Sequence, residues 1–326
     1  TYDMPINKLP FLDWITIYTR YGTQFNWQRN PFSNNSKANV DLGNSIQNNR
    51  TLQANPILNF NLLYHKFKFI RNNKGTNMRG TTAFLVQLLT AVRQLNGAYT
   101  KTEGTYLPGY LPQSNLIGID LERNAPGFGF LFGSQGDILT KAIQKNWLTK
   151  DTLQNKQFVR TYSENISGII HLEPIKNMKL DLIFSRIENY NKYSTTTFNE
   201  KEARFLHSIP YITGNYSISQ IALHSSFHNN AAHFEEFNNK KQEVSLALAQ
   251  HNINSVGISS DFFADGYGKN QQDVVLNSFW QTYYRKRKIN LNIKPTFPLP
   301  NWRIKYNGLV ALLSISDLIQ SINITH

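Results

Sequence analysis

The chain has 326 residues, of which 17% are charged and 13% aromatic, and it contains 39 Asn and no Cys. The lack of Cys excludes disulfides, thiolate zinc sites and a Cys nucleophile. The aromatic content is too high for a disordered chain. No apolar run reaches about 18 residues, which excludes a transmembrane helix and leaves the β-barrel as the only way this sequence could span a membrane.

The formal net charge is +13, which predicts contact with a polyanion: nucleic acid, anionic lipid or the phosphates of lipopolysaccharide. Residues 1–10 have neither the basic start nor the apolar stretch of a secretory signal. We therefore expect a signal peptide to be absent, or to have been removed before this chain begins.

Apolar and polar residues alternate with period two over residues 13–28, which predicts a strand far longer than the mean soluble strand of about 5–6 residues. A tilted transmembrane strand needs about 9–11 residues in the hydrocarbon. The apolar side ends in Phe25 and Trp27, as expected for an aromatic girdle at the membrane surface.

Further strands are predicted along the chain, and a helix fits residues 83–99 nearly as well as a strand does. A short Pro- and Asn-containing turn at 173–177 joins two of them. The other predicted strands are 51–62, 158–172, 178–184, 211–227, 302–307 and 321–325.

Two connections are long, 102–157 and 228–301, and the second is predicted to hold helices at 234–250 and 271–285. Alternation of short turns with long loops is typical of outer-membrane barrels. The pattern therefore predicts an all-β fold with minor α, in which long loops carry short helices. A soluble β-sandwich or barrel with one wet face stays open as the alternative.

The segment PGFGFLFGSQ at 126–135 has the glycine spacing G-x-G-x-x-x-G, which is not the dinucleotide fingerprint. Its aromatic residues suggest either local packing or a protein-contact loop. A turn at DGYG, residues 265–268, precedes the second predicted helix, and its carboxylates lack the spacing of a calcium loop.

Metal binding, nucleic-acid binding and catalysis have weak support in the sequence. His224 and His228, followed by His233 and Glu235, have only loose metal-ligand spacing, and the basic run 283–288 stands alone. No Ser/His/Asp order or paired-carboxylate spacing stands out. We expect no enzyme activity, no cofactor, no metal and no nucleic-acid partner.

Four blocks together resemble the SprA/Sov family, the outer-membrane translocon of the type nine secretion system. They agree with the family in order and spacing along nearly the whole chain. The blocks are LPGYLP at 107–112, NAPGFGFLFGSQ at 124–135 with DI at 137–138 and NWL at 146–148, DGYG at 265–268 with QDVV at 272–275, and PLPNWRIKYNGL at 298–309.

The resemblance implies that residues 1–326 form a single segment of a very large antiparallel transmembrane β-barrel in the outer membrane of a gram-negative bacterium. The implied function is a protein-conducting channel for folded cargo with a C-terminal signal domain. Implied partners are a small PorV-like barrel at a lateral opening, a periplasmic plug protein, and lipid or lipopolysaccharide. A porin-like uptake barrel and a soluble basic β-protein that binds a polyanion remain the alternatives.

We predict that the two motif loops contact the partner or the cargo. The residues in question are Pro126, Gly127, Phe128, Gly129, Phe130, Phe132, Gly133, Ser134, Gln135, Asp265, Gly266, Tyr267, Gly268, Gln272 and Asp273.

Overall fold

The computed structural model describes residues 2–29, 41–73, 86–175, 177–208, 210–221, 230–252, 255, 257–283, 289, 291, 296–306 and 322–325. The chain divides into two compact units, Thr1–Ser219 with Pro300–His326, and Gln220–Leu299. Within the described ranges, no helix has the length and apolar character needed to cross a membrane.

The first unit is a long antiparallel sheet. Among the described residues, strands hold 44% and helices 24%, which confirms a mainly antiparallel β-protein with minor helix. The sheet order is β1-β2-β3-β4-β5-β6-β10-β11, with β9 also paired to β6, and β7 and β8 form a separate hairpin. The strands are β1 Tyr2–Met4, β2 Ile15–Gln28, β3 Asn44–Asn59, β4 Val92–Tyr110, β5 Phe158–Leu172, β6 Met178–Ser194, β7 Thr196–Asn199, β8 Arg204–His207, β9 Tyr211–Ile218, β10 Asn301–Tyr306 and β11 Ile322–Thr325.

The first unit also contains short helices, and the second unit contains two longer ones. The two helices predicted in the connection 228–301 are present, with their ends shifted by a few residues. The helices are α1 Phe60–Lys66, α2 Lys68–Asn73, α3 Phe128–Leu131, α4 Ile138–Gln144, α5 Asn230–Ala249 and α6 Gln272–Tyr283.

Local alternation predicted β2 and β5 well, but other boundaries were wrong. The strand predicted at 51–62 begins at Asn44 and ends at Asn59, where α1 takes over. The ambiguous stretch 83–99 contains the start of β4, and β4 continues to Tyr110, inside the predicted loop 102–157. The strand predicted at 178–184 continues to Ser194, and β9 ends at Ile218, while 222–227 lies outside the described residues.

The edge of β6 that faces away from β5 pairs with two different strands. Its first half pairs with β10, with Leu180 opposite Ile304, and its second half pairs with β9, with Tyr190 opposite Gly214. The second unit, Gln220–Leu299, is inserted in sequence between these two edge strands. Strands β9 and β10 therefore pair with successive stretches of the same edge of β6.

The register gives the sheet two different faces, because successive side chains point to opposite sides. The first face includes Ile17 of β2, Leu58 of β3, Ile170 of β5 and Leu182 of β6. We call the other side, which includes Asn55 of β3, the second face.

The hydrophobic core lies at one end of the first face, where the segment 111–157 covers β3, β4 and β5. Phe25 and Trp27 of β2 pack against this core. The core residues are Ile46, Leu107, Tyr110, Ala125, Phe130, Ile138, Ala142, Trp147, Leu148 and Phe158.

Gly43 is required where the chain approaches β4. Its φ is +63°, and a Cβ there would lie 2.6 Å from the carbonyl carbon of Gly109. We expect Gly43→Ala to destabilise the protein by about 2 kcal/mol or more, because backbone cannot move aside as a flexible side chain can. The free energy of unfolding in urea is the measurement.

Gly22→Ala in β2 is the matched control, because a Cβ there meets nothing within 4 Å. It should leave the free energy of unfolding within about 0.5 kcal/mol of the parent value. Equal effects of the two substitutions would contradict the close backbone approach at Gly43.

Candidate partner-contact loop

The motif segment 126–135 is folded back onto the first face of the sheet. Phe130 is buried, and its ring contacts the ring of Phe25 edge to face at 6.1 Å between centroids. Trp27 donates its indole N–H to the carbonyl oxygen of Pro112 at 3.3 Å. Phe25 and Trp27 therefore lie under the folded segment, and the prediction that they form an exposed aromatic girdle was wrong.

A polar clamp fixes the segment to the sheet. The fully buried Asn48 of β3 donates from Nδ2 to the carbonyl oxygens of Phe130 at 2.8 Å and Ser134 at 3.0 Å. Gln135 donates from Nε2 to Asn48 Oδ1 at 3.1 Å and accepts from the Thr105 hydroxyl at 2.7 Å. Two loop carbonyls and two amide side chains are thus satisfied together, which makes the clamp costly to break.

Glycine and a tyrosine hydroxyl bring the loop backbone close to the strands. Gly133 has φ +82°, and a Cβ there would lie 2.8 Å from Cβ of Arg50 and 2.9 Å from Cγ2 of Thr23. Tyr21 donates its hydroxyl to the carbonyl oxygen of Phe132 at 2.7 Å. Only glycine fits at position 133 with the loop in this place.

Two aromatic side chains of the segment face solvent. Phe128 is 61% exposed and Phe132 is 66% exposed. They are four residues apart across the turn of α3, a spacing that places side chains on the same side of a helix. Gly129 and Ser134 are also exposed, whereas Pro126 is buried and Gly127, with φ +94°, begins the turn. The segment therefore combines a buried anchor with an exposed pair of rings.

Helix α4 continues the folded segment and is capped at its start. The Asp137 carboxylate accepts from the backbone N–H and the hydroxyl of Thr140. These hydrogen bonds, chiefly that from the Thr140 hydroxyl, lower the pKa of Asp137 below its usual value, and Arg160 nearby acts in the same direction. The cap is therefore complete above the ordinary Asp pKa, and its contribution to stability is lost as pH falls through the lowered pKa.

The second predicted loop belongs to the second unit and is also held by a buried side chain. The fully buried Ser245 of α5 donates its hydroxyl to the carbonyl oxygen of Tyr267 at 2.7 Å and accepts from the N–H of Ala264 at 2.9 Å. Asn252 donates to the Tyr267 hydroxyl at 3.0 Å. Tyr267 thus positions the turn, and its neighbours in the motif are solvent-exposed. These exposed residues are Asp265, Gly266, Gly268, Gln272 and Asp273.

The middle of the first face carries paired charges that the sequence did not reveal. Arg50 bonds Glu103 across β3 and β4, with Nη2 2.6 Å from the carboxylate. Arg186 of β6 bonds Glu164 at 3.0 Å and Glu188 at 2.7 Å. Arg186 and Glu188 are two residues apart on β6, but the pairs Arg50–Glu103 and Arg186–Glu164 are brought together by strand register, which no local sequence motif could have identified.

Metal ligation has no support in the part of the chain that the structure describes. No group of three or more His, Asp or Glu side chains there is placed to hold a metal ion. His224 and His228 lie outside the described residues, as do positions 284–288 of the basic run.

Comparison with known proteins gives no match to any protein-family model and no significantly similar curated protein.

Asn48→Ala removes the Nδ2 group that donates both hydrogen bonds of the clamp, so the carbonyl oxygens of Phe130 and Ser134 lose this donor. We expect a loss of about 2–3 kcal/mol in the docking free energy of the segment, since an unsatisfied buried polar group costs about 1–3 kcal/mol. Native-state proteolysis should then cut within 111–157 at least about tenfold faster.

Asn26→Ala is the control, because Asn26 is an exposed amide on the second face of β2. It should leave the cleavage rate within 111–157 unchanged. A clamp variant that is cut no faster than this control would show that Asn48 does not hold the segment.

Proposed function

We propose that the chain is a portion of a very large antiparallel transmembrane β-barrel that conducts folded proteins across the outer membrane of a gram-negative bacterium. The channel is of the SprA/Sov type, which serves the type nine secretion system. The observation that carries this proposal is a band of uncharged, largely apolar side chains on one face of long strands, backed by a polar face.

The band lies on the first face, near the turn between β5 and β6. From Met178 to Phe184 it extends about 20 Å along the strand, at about 3.4 Å per residue, which approaches the apolar height of about 25 Å in outer-membrane barrels. Its residues are Ile15, Ile17, Ala54, Leu58, Leu95, Tyr99, Ile166, Ile170, Leu172, Met178, Leu180, Leu182, Phe184, Trp302, Ile304 and Tyr306.

The second face is suited to water along the same strands. It is dominated by amides and hydroxyls, and hydrogen bonds join some of them across strands, as between Asn189 and Asn215 at 3.2 Å. Such side chains satisfy one another and water without burying charge. In the proposed channel this face lines the lumen, and weak contacts with its many amides and hydroxyls allow cargo to pass without being trapped.

Open edges favour a larger assembly. Among the described residues, β1 pairs with β2 alone and β11 pairs with β10 alone. Unpaired backbone groups cannot face hydrocarbon without a large cost, so a sheet in a membrane has to be closed by further strands. This supports the proposal that the chain contributes part of a barrel built from a longer protein.

The loops supply the contacts in this proposal. Phe128 and Phe132 present apolar rings on a segment whose position is fixed by the clamp, as expected for a protein-contact surface. The proposed partners are a small PorV-like barrel, a periplasmic plug protein, and cargo with a C-terminal signal domain. The exposed DGYG residues form a second proposed contact.

Replacing Phe128 and Phe132 together by Ser in the native protein tests this proposal. We expect secreted cargo to accumulate in the periplasm, because the partner or cargo loses its apolar contact, while the variant still reaches the outer membrane. Cargo in the medium and periplasm is quantified by immunoblot.

Phe11→Ser is the matched control, since Phe11 is a 77% exposed ring far from the motif in sequence. Secretion should be normal in this control. Normal secretion by the Phe128 and Phe132 double variant would remove the proposed contact. Normal secretion after removal of the whole protein would remove the proposed function.

A further inference from the structure

A basic cluster forms on the second face where β6 pairs with β10. The register places Lys179 directly opposite Lys305, and Arg303 directly opposite Asp181. On the other side of β6, Asp181 lies opposite His171 of β5. The three cationic side chains are exposed, and they stand on the side of the sheet away from Leu180 and Ile304.

This arrangement works against the stability of the isolated sheet. Side chains directly opposite in an antiparallel pair have Cβ atoms about 4.5–5.5 Å apart, and like charges at that distance destabilise the pair. The nearest acid, Asp181, is already engaged by the His171 ring, with Nδ1 2.7 Å from its carboxylate. Among the described residues, Lys179, Lys305 and Arg303 form no ion pair with a carboxylate.

Among the described residues, two further acids at this end of the sheet are also committed. Asp13, before β2, pairs with Lys66. Glu173, in the turn after β5, bonds the guanidinium of Arg93 at 3.0 Å. No described carboxylate at this end of the sheet is left to neutralise the cluster, and an acidic partner would do so. An unbalanced cluster that costs stability is typical of a binding surface.

We propose that this cluster binds an acidic protein segment in extended conformation. Arg303 and Lys305 are two residues apart on one strand, so their side chains repeat about every 6.8 Å. Carboxylates at every second position of an extended peptide repeat with the same spacing. Lys179 lies beside Lys305 on the neighbouring strand, so each of two such carboxylates of the peptide can contact at least one cation.

An extended acidic segment fits this surface better than a phosphate group does. Lys179, Arg303 and Lys305 occupy three corners of a block on the strand pair, and Asp181, at the fourth corner opposite Arg303, repels a compact dianion placed among them. The carboxylates of an extended peptide can instead lie along β10, beside Arg303 and Lys305 and away from Asp181. The site depends on register and charge alone, so it stands or falls separately from the proposed translocon function.

Binding of fluorescent peptides to the full chain in zwitterionic detergent tests the site. The probe peptide alternates Glu with Ser, and a second peptide of equal composition carries its Glu residues in one block. We expect tighter binding of the alternating peptide, and about tenfold weaker binding after joint Lys179→Gln and Lys305→Gln substitution. Binding should also weaken as salt rises.

Lys192→Gln is the matched control, because it removes the same charge from the first face of the same strand. It should leave peptide affinity unchanged. The double variant should unfold at the same or a higher temperature than the parent, since it relieves repulsion. This separates lost binding from lost folding.

Three results would overturn the proposal. Equal binding of the two peptides would show that spacing is not recognised. Equal loss in the Lys192 control would show that net charge alone attracts the peptide. Displacement of the peptide by inorganic phosphate at low concentration, or preferential binding to vesicles with anionic headgroups, would assign the cluster to phosphate.

Discussion

The register of the long antiparallel ladder is the constraint on which the other features depend. Strands β2 to β6 are 14 to 19 residues long and pair in sequence order. A slip of one residue between two strands would move every side chain of one strand to the opposite face. The apolar band, the Arg50–Glu103 pair, the buried position of Asn48 and the basic cluster on β6 and β10 all follow from this one alignment.

Along the first face the ladder passes through three zones. Uncharged side chains lie near the turn between β5 and β6, paired charges such as Arg186 with Glu164 lie in the middle, and the core under the segment 111–157 covers the other end. In the proposed membrane orientation, the uncharged zone meets the hydrocarbon of the bilayer, and the zone of paired charges lies outside the hydrocarbon. The folded segment then lies on the outer wall beyond the lipid, where Phe128 and Phe132 can meet a neighbouring protein.

Period-two alternation predicted the features that depend on one strand at a time, such as where a strand begins and ends. Residues 158–172 were predicted to be a strand, and β5 has those bounds. The same reasoning misjudged Phe25 and Trp27, because alternation identifies the apolar side of a strand but not what covers it. The clamp between Asn48 and Gln135 joins residues 87 positions apart, and the two lysines of the basic cluster are further apart still, so only the pairing of the strands could reveal them.

Alternating accessibility along β6 tests directly whether the first face meets lipid, and these 326 residues contain no Cys that would compete for the label. Single Cys residues are introduced as Leu182→Cys on the first face and Ile183→Cys on the second, in the native protein in its membrane. If the first face meets lipid, a membrane-impermeant maleimide, admitted to both sides, labels position 183 and spares position 182. A fluorophore attached at 182 before reconstitution should in turn be quenched by brominated lipid. Equal labelling of both positions, or labelling of 182 alone, would contradict a lipid-facing first face.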